Sequence, residues 1–342
     1  MLLYIYLFIF LVVAFLVSSF KKKFTPFFTI ISFIILCFFS AFRGYSVGTD
    51  TSHYQMLFDY FDDLSIQDVR GEYFFSFLFY LVKLFGGSYR VFLILTSFLF
   101  YLPLYIAIRR SSINPMLSVF LLYSLGFCFM FFNISRQLIA VSLSLFAFIA
   151  CSKNNLKWFL IIVFLCTIIH TSSVFVLLFW FINKLKIASD KYIAILFITF
   201  IIPFIFNFSY LIESILSYLP VVSKYVMYLD DEPSKSVFSL NRLLLNVLFI
   251  YILSNTHINK LSFWLCASIW GIILLNLFPT NSIVSRVYYY FSVTQIFFFP
   301  EFFKRNQQNK LIVMSYSFVI FVFYIFSNIG QFIPYVLSFG DN

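Results

Sequence analysis

The stretch LLYIYLFIFLVVAFLVSSFKKK, Leu2 to Lys23, decides the fold. It carries no charge before Lys21, and about 20 apolar residues at helical rise cross a hydrocarbon core. The three lysines follow the apolar run instead of preceding it, which a cleavable signal peptide does not do. The stretch reads as a first membrane helix that starts outside and ends on the cytoplasmic side.

Working outward, the same pattern recurs along all 342 residues, of which 62% are hydrophobic, 11% charged and 54 are Phe, with a mean hydropathy of +0.98. The apolar runs are continuous, not alternating, which excludes a β-barrel and a soluble globular domain. Spans are expected at about 2–20, 26–42, 89–108, 115–132, 138–152, 192–208, 238–254, 261–279, 287–300 and 311–329. Residues 73–86 are too short to cross and read as an amphipathic helix on the outer surface. Residues 158–183 carry IIHTSS at their midpoint and form either a hairpin of two short helices or one overlong helix. The fold class is therefore an all-α polytopic membrane protein of about 10–12 transmembrane helices, one integral membrane domain over 1–342. Its larger outer loops are 43–88, with the amphipathic helix, and 209–237.

Five cysteines, Cys37, Cys128, Cys151, Cys166 and Cys266, lie in or beside apolar runs without CxxC or Cys/His spacing, so no disulfide framework or structural zinc is expected. The net charge of +10 reflects orientation. With 158–183 drawn as a hairpin, 14 of the 23 basic residues fall on the inner side, as cytoplasmic loops require, and no nucleic-acid partner is implied. Arginine nevertheless dominates the outer basic residues, with Arg43, Arg70, Arg90, Arg136, Arg242 and Arg286. Outer positive charge opposes the topology, and guanidinium offers a fixed fork of donors suited to phosphate oxygens. Arg43, Arg136, Arg242 and Arg286 lie near helix ends, where together they can bind a pyrophosphate.

Four short motifs carry the remaining chemistry. In FRGYSVGTDTSHY, Phe42 to Tyr54, Gly44 and Gly48 permit tight turns whose amides can face an anion, with Asp50 and His53 beside them. The bland reading is an outer loop whose aspartate caps the following helix. In NISRQ, Asn133 to Gln137, Arg136 and Gln137 open a helix, where backbone amides favour anions; a snorkelling arginine is the competing account. His170 in IIHTSS sits in an apolar region, and ionisable groups at membrane depth usually face a cavity or a partner. A neutral histidine satisfied by Thr171 or Ser172 is the alternative. In IVSRVYYYF, Arg286 heads a run of Tyr288, Tyr289 and Tyr290, which can stack on sugar faces or form an interfacial belt. The acidic YLDDEP, Tyr228 to Pro233, reads as solvated loop, and His257 as an inner-loop residue.

The order of these elements resembles the EpsG family of Wzy-type polysaccharide polymerases: FRGYSVGTDTSHY, the amphipathic EYFFSFLFYLVKLF, NISRQLIA, IIHTSS and SRVYYYF, over about residues 40 to 300. Thr51 stands where that family commonly has a tyrosine. The resemblance implies a GT-C-like helical fold in the bacterial cytoplasmic membrane, active at its outer face. It implies an enzyme that joins oligosaccharide repeat units carried on undecaprenyl pyrophosphate, with a chain-length regulator and a flippase as partner proteins beside membrane lipid. Such a reaction stabilises a leaving pyrophosphate and takes a proton from an acceptor hydroxyl. Arg43, Arg136 and Arg286, with Arg242 and the Gly48 and Gln137 positions, are the expected pyrophosphate or substrate contacts, Tyr288 a sugar contact, and Asp50 or His170 the base. No cofactor and no essential metal are expected, because the arginines can supply the electrostatic work. A glycan ligase, a flippase or transporter of lipid-linked oligosaccharide, and a membrane acyltransferase are the competing readings.

Overall fold

The computed structural model describes residues 1–61, 73–185, 187–206, 237–255, 261–280, 282–305, 307–328 and 330–339, with the side chains of 282–285 excepted. The parts of loops 43–88 and 209–237 that fall on 62–72 and 209–236 lie outside them. So do YLDDEP, His257 and Arg70.

The described residues are helical apart from turns and a single antiparallel bridge between Arg43 and Leu337. In chain order the helices are α1 (Leu2–Phe20), α2 (Thr25–Ala41), α3 (Thr49–Asp59), α4 (Tyr73–Leu84), α5 (Tyr89–Ser111), α6 (Pro115–Ser124), α7 (Phe127–Met130), α8 (Ser135–Ser152) and α9 (Leu156–Ile169). They continue with α10 (Leu177–Ile182), α11 (Ser189–Ile201), α12 (Leu240–Ser254), α13 (Phe263–Leu277), α14 (Ser282–Ser292), α15 (Gln295–Phe303) and α16 (Gln307–Ser327). Five helical stretches, Leu2–Phe20, Lys22–Ala41, Tyr89–Ser111, Ser135–Ser152 and Gln307–Ser327, are long and apolar enough to cross a membrane. The protein is thus an all-helical, multi-pass membrane protein.

The lipid-facing and core-facing stripes follow from helical spacing. On α1, Leu2, Tyr6, Ile9, Val13 and Leu16 are exposed, while Tyr4, Leu7, Leu11, Ala14 and Phe15 are buried. Such an apolar outer stripe is stable only against hydrocarbon. Helix α6 is buried at every position from Met116 to Ser124, as an all-round apolar helix must be at the centre of a bundle. Helix α4 fulfils the amphipathic expectation, burying Phe75, Leu78, Phe79 and Val82 on α5 while Tyr73, Phe77 and Tyr80 stay exposed.

Two expected spans are interrupted, and the stretch left open between a hairpin and one long helix is broken as well. The run 115–132 breaks between α6 and α7 at Gly126, whose φ of +89° only glycine adopts easily and whose Cβ would collide with the Tyr324 ring. The run 287–300 instead forms α14 and α15, parted at Val293 and Thr294, where the Thr294 hydroxyl donates to Phe291 O at 2.6 Å. Residues 158–183 are not one continuous α-helix: α9 ends at His170, whose backbone is extended, and a 3-10 turn, Thr171–Val176, leads into α10.

The chain forms two compact units, Met1–Thr171 with Phe299–Asn342, and Ser172–Phe298. In the first, α2 packs on α5, α5 on α8, α8 on α9, and α1 and α16 on α6. The basic turns, Lys21–Lys23, Arg109–Arg110 and Lys153, all fall at one end of these helices. The end of α2 and the starts of α5 and α8 meet at the other. In the second unit, α11, α12 and α13 pack together and α14 pairs with α13.

Candidate functional site

At the end of the first unit away from the lysines, the chain turns sharply after α2. Gly48 has φ +84°, and a Cβ there would come within 2.3 Å of Phe132 O. Only glycine lets the FRGYSVGTDTSHY loop lie this close to the chain preceding α8. The loop is then tied to NISRQ at several points. Asn133 Oδ1 accepts from Thr49 N at 2.9 Å and from the Thr49 hydroxyl at 3.2 Å, and Asp50 N donates to Phe132 O at 3.3 Å. Asp50 Oδ2 accepts from Ser135 N at 2.8 Å and from Ser135 Oγ at 3.1 Å. The aspartate therefore caps α8, not its own helix α3, and puts negative charge at the positive end of an 18-residue helix.

Two buried guanidinium groups hold the loop from behind. Arg43 is 2% exposed, donates from Nε to Thr51 Oγ1 at 2.8 Å and from Nη1 to Ser40 O, and lies over the Phe131 and Phe132 rings. The Thr51 hydroxyl donates in turn to Val47 O at 2.7 Å. Arg90 donates from Nη1 to Ala41 O at 3.0 Å and to Arg43 O at 2.8 Å, with its guanidinium over the Tyr45 ring. Neighbouring Tyr89 donates to Thr51 O at 2.7 Å. Arginine at a helix end signals either a ligand fork or an internal brace, and at Arg43 and Arg90 the structure shows a brace.

A segment that composition leaves unmarked completes this end. Residues 330–339, after α16, run back along the loop as a C-terminal strap. Gly44 N donates to Val336 O at 2.7 Å, Gly48 N to Gln331 O at 3.1 Å and Ser338 N to Phe42 O at 3.0 Å. The amides of Gly44 and Gly48, expected to face an anion, are thus engaged by strap carbonyls. Tyr4 and Tyr335 anchor the strap through Phe332 O at 2.7 Å and Phe39 O at 2.6 Å.

Of the other expected site residues in this unit, Arg136 is half-buried at the start of α8 and Gln137 is buried beside it. His170 is buried at the end of α9, its N–H donating to Cys166 O at 2.8 Å. Helices α8 and α9 form a tight pair of 18 and 14 residues, about 27 and 21 Å long at 1.5 Å per residue. His170 is therefore carried back toward the Asp50–Ser135 end. His53, on α3, is exposed, and the protein around its ring lowers its pKa by desolvation.

In the second unit, Arg286 is exposed on α14 while Tyr288 is half-buried and Tyr290 buried. Gly271 of α13 allows α14 to approach so closely that a Cβ would sit 2.7 Å from Phe291 Cβ. The Ser172 and Tyr290 hydroxyls lie 3.3 Å apart, joining IIHTSS to SRVYYYF. Arg242 is elsewhere in the unit, 3% exposed, among α11, α12 and α13. It donates from Nη1 to Asn276 O at 3.3 Å beside a reciprocal amide pair, Asn246 Nδ2 to Asn276 Oδ1 at 2.8 Å and Asn276 Nδ2 to Asn246 Oδ1 at 2.7 Å.

Sequence reasoning missed the roles of Ser135 and of Arg90, the strap, and the Asn246–Asn276 pair. An asparagine such as Asn276 within a long apolar run is the one sequence signal that could have flagged the last of these.

A helical bundle with its polar motifs gathered at helix ends, opposite the basic turns in the first unit, defines a multi-pass membrane protein. The model of the EpsG family matches residues 26–337, nearly the whole chain, and the protein belongs to that family, one of Wzy-type polymerases of polysaccharide biosynthesis. The match takes in the strap as far as Leu337. No curated protein and no solved structure matches the chain.

Proposed function

We propose that the protein polymerises lipid-linked oligosaccharide repeat units at the outer face of the bacterial cytoplasmic membrane, moving a growing chain from undecaprenyl pyrophosphate onto a sugar hydroxyl of the next unit. In this reaction the anomeric carbon–oxygen bond to pyrophosphate breaks and the leaving group takes the electron pair. The acceptor oxygen forms the new bond and gives its proton to a base. The observation that carries the reading is the docking of two family motifs through Asp50 and Ser135, which places Arg136 on the first turn of α8 beside the amide end of the helix. Arg136 there offers a guanidinium fork to an anion next to the helix start that Asp50 caps.

Arg136 is the proposed pyrophosphate contact of the first unit, with Gln137 beside it. Arg43 holds the loop that carries Asp50. His170 is the proposed base, because Asp50 Oδ2 already accepts two hydrogen bonds. Arg286 and Tyr288 are proposed as substrate contacts of the second unit, the exposed guanidinium for phosphate and the ring for a sugar face. The outward orientation is supported by the lysines at the opposite helix ends.

The test uses purified protein with one defined undecaprenyl-pyrophosphate-linked repeat unit. Wild type gives a ladder of long chains; Arg136→Ala and Arg286→Ala leave single repeats. A ladder retained by both variants removes these arginines from the mechanism. In cells, accumulation of long lipid-linked chains on loss of the protein identifies a ligase instead.

A further inference from the structure

The geometry points to an oxyanion site within the second unit, built on Arg242 and taking a phosphoryl group of a lipid headgroup or of free phosphate. It stands on observations separate from the polymerisation reading. Arg242 is the third residue of α12, and Thr199 and Asn276 lie in the last turns of α11 and α13, so three helix termini converge on one guanidinium. Its guanidinium lies over the rings of Phe200 at 4.7 Å and Phe204 at 5.6 Å. Nη1 donates to Asn276 O, whose residue is locked in turn by Asn246 and by Thr199 Oγ1 at 3.3 Å. The group is thus held in one orientation.

Two of its three nitrogens, Nε and Nη2, are buried and have no hydrogen-bond partner among the described residues. These two share one edge of the planar group, where their N–H bonds run parallel. That edge is the fork that two oxygens of a single phosphoryl or carboxylate group accept. A buried cation left with such an edge unmatched is costly, and an oxyanion that accepts both N–H bonds removes that cost. Helix ends lie at the level of the lipid headgroups, whose phosphates are the oxyanions a bilayer supplies there, which selects phosphoryl over carboxylate.

The test is the thermal stability of full-length protein, washed free of lipid in detergent and kept in phosphate-free buffer. Inorganic pyrophosphate is titrated in one arm. In a second, nanodiscs of phosphatidylcholine alone are compared with nanodiscs containing phosphatidylglycerol. Wild type is expected to melt higher with pyrophosphate, with phosphatidylglycerol or with both, the responding arm naming the source. Arg242→Met is expected to melt no lower than wild type without anion and to lose the response. Arg242→Lys keeps the charge without the fork, and its apparent affinity is expected to fall at least about tenfold. Equal responses in wild type and Arg242→Lys, an equal rise with acetate, or no response of wild type in either arm overturns the site. Because no sugar enters the assay, an inactive polymerisation reaction leaves this result standing, and the reverse holds too.

Discussion

Asp50 of the first motif and Ser135 of the second are 85 residues apart in sequence and meet through two hydrogen bonds to one carboxylate oxygen. The contact makes one loop-and-helix unit of two motifs that read separately as loop and helix start. It also separates two roles for Asp50. Asp50→Asn keeps an acceptor oxygen for Ser135, and Asp50→Ala removes it. If Asp50 works through α8, the asparagine variant keeps long-chain product and the alanine variant loses about 1 kcal/mol of stability together with most product. Loss of product in Asp50→Asn at an unchanged melting temperature makes Asp50 the base in place of His170.

Gly48 and Gly86 both have positive φ, but their surroundings differ. A Cβ at Gly48 meets the Phe132 backbone, whereas one at Gly86 meets nothing within 4 Å. Gly86→Ala is expected to cost about 1 kcal/mol, the ordinary left-handed penalty. Gly48→Ala must also push the loop off α8, and it is expected to lower the melting temperature further and to abolish product. Equal effects of the two substitutions on melting would show that the close approach is relaxed at no cost.

Removing residues 330–339 takes away the acceptors of Gly44 and Gly48 and the anchor of Tyr4. The truncated protein is expected to melt lower and to lose long chains, with Tyr335→Phe, which deletes one hydroxyl donor to Phe39 O, a milder version of about 1 kcal/mol. A truncation that polymerises like wild type would show that the strap only covers the loop.

Arginine substitutions are expected to divide by burial. Arg43→Ala leaves Thr51 Oγ1 and Ser40 O without their donor and opens space against Phe131 and Phe132, so it lowers both melting temperature and product. Arg286→Ala, at an exposed side chain, is expected to lose product at a melting temperature close to wild type. Melting curves beside product gels check the split; a stable Arg43→Ala with full activity would remove the brace.

The hydroxyls of Ser172 and Tyr290 form the link between the third and fourth motifs. Tyr290→Phe is expected to cost about 1 kcal/mol, and Ser172→Ala in the Tyr290→Phe background to cost little more. Additive losses in a double-mutant cycle would show that the pair is not coupled.

The sequence made the membrane class and the helices α1, α2, α4 and α5 legible because uncharged runs end in cations or glycines, and that pattern is local. The family was legible in the same way, from short motifs in order. Breaks such as Gly126 were not, because a lone glycine inside an apolar run is common and only the Tyr324 ring pressed against it requires its φ. Nor did the sequence distinguish Arg43 and Arg90, turned inward onto carbonyls, from Arg286, turned outward, since all three sit near helix ends. The strap escaped notice for another reason: FIPYVLSF has neither helical spacing nor the length of a span, and its partners lie near the other end of the chain.

That separation has a consequence for biogenesis. Tyr4 finds its acceptor 328 positions later, at Phe332, and the turn after α2 also waits for Gln331 and Val336. A translocon that releases helices in order of synthesis delivers the earliest pieces of this end with their partners still unmade. Insertion and maturation are therefore distinct events: the helices that precede the strap can enter the bilayer first, and the turn locks only when residues 330–339 fold back over it.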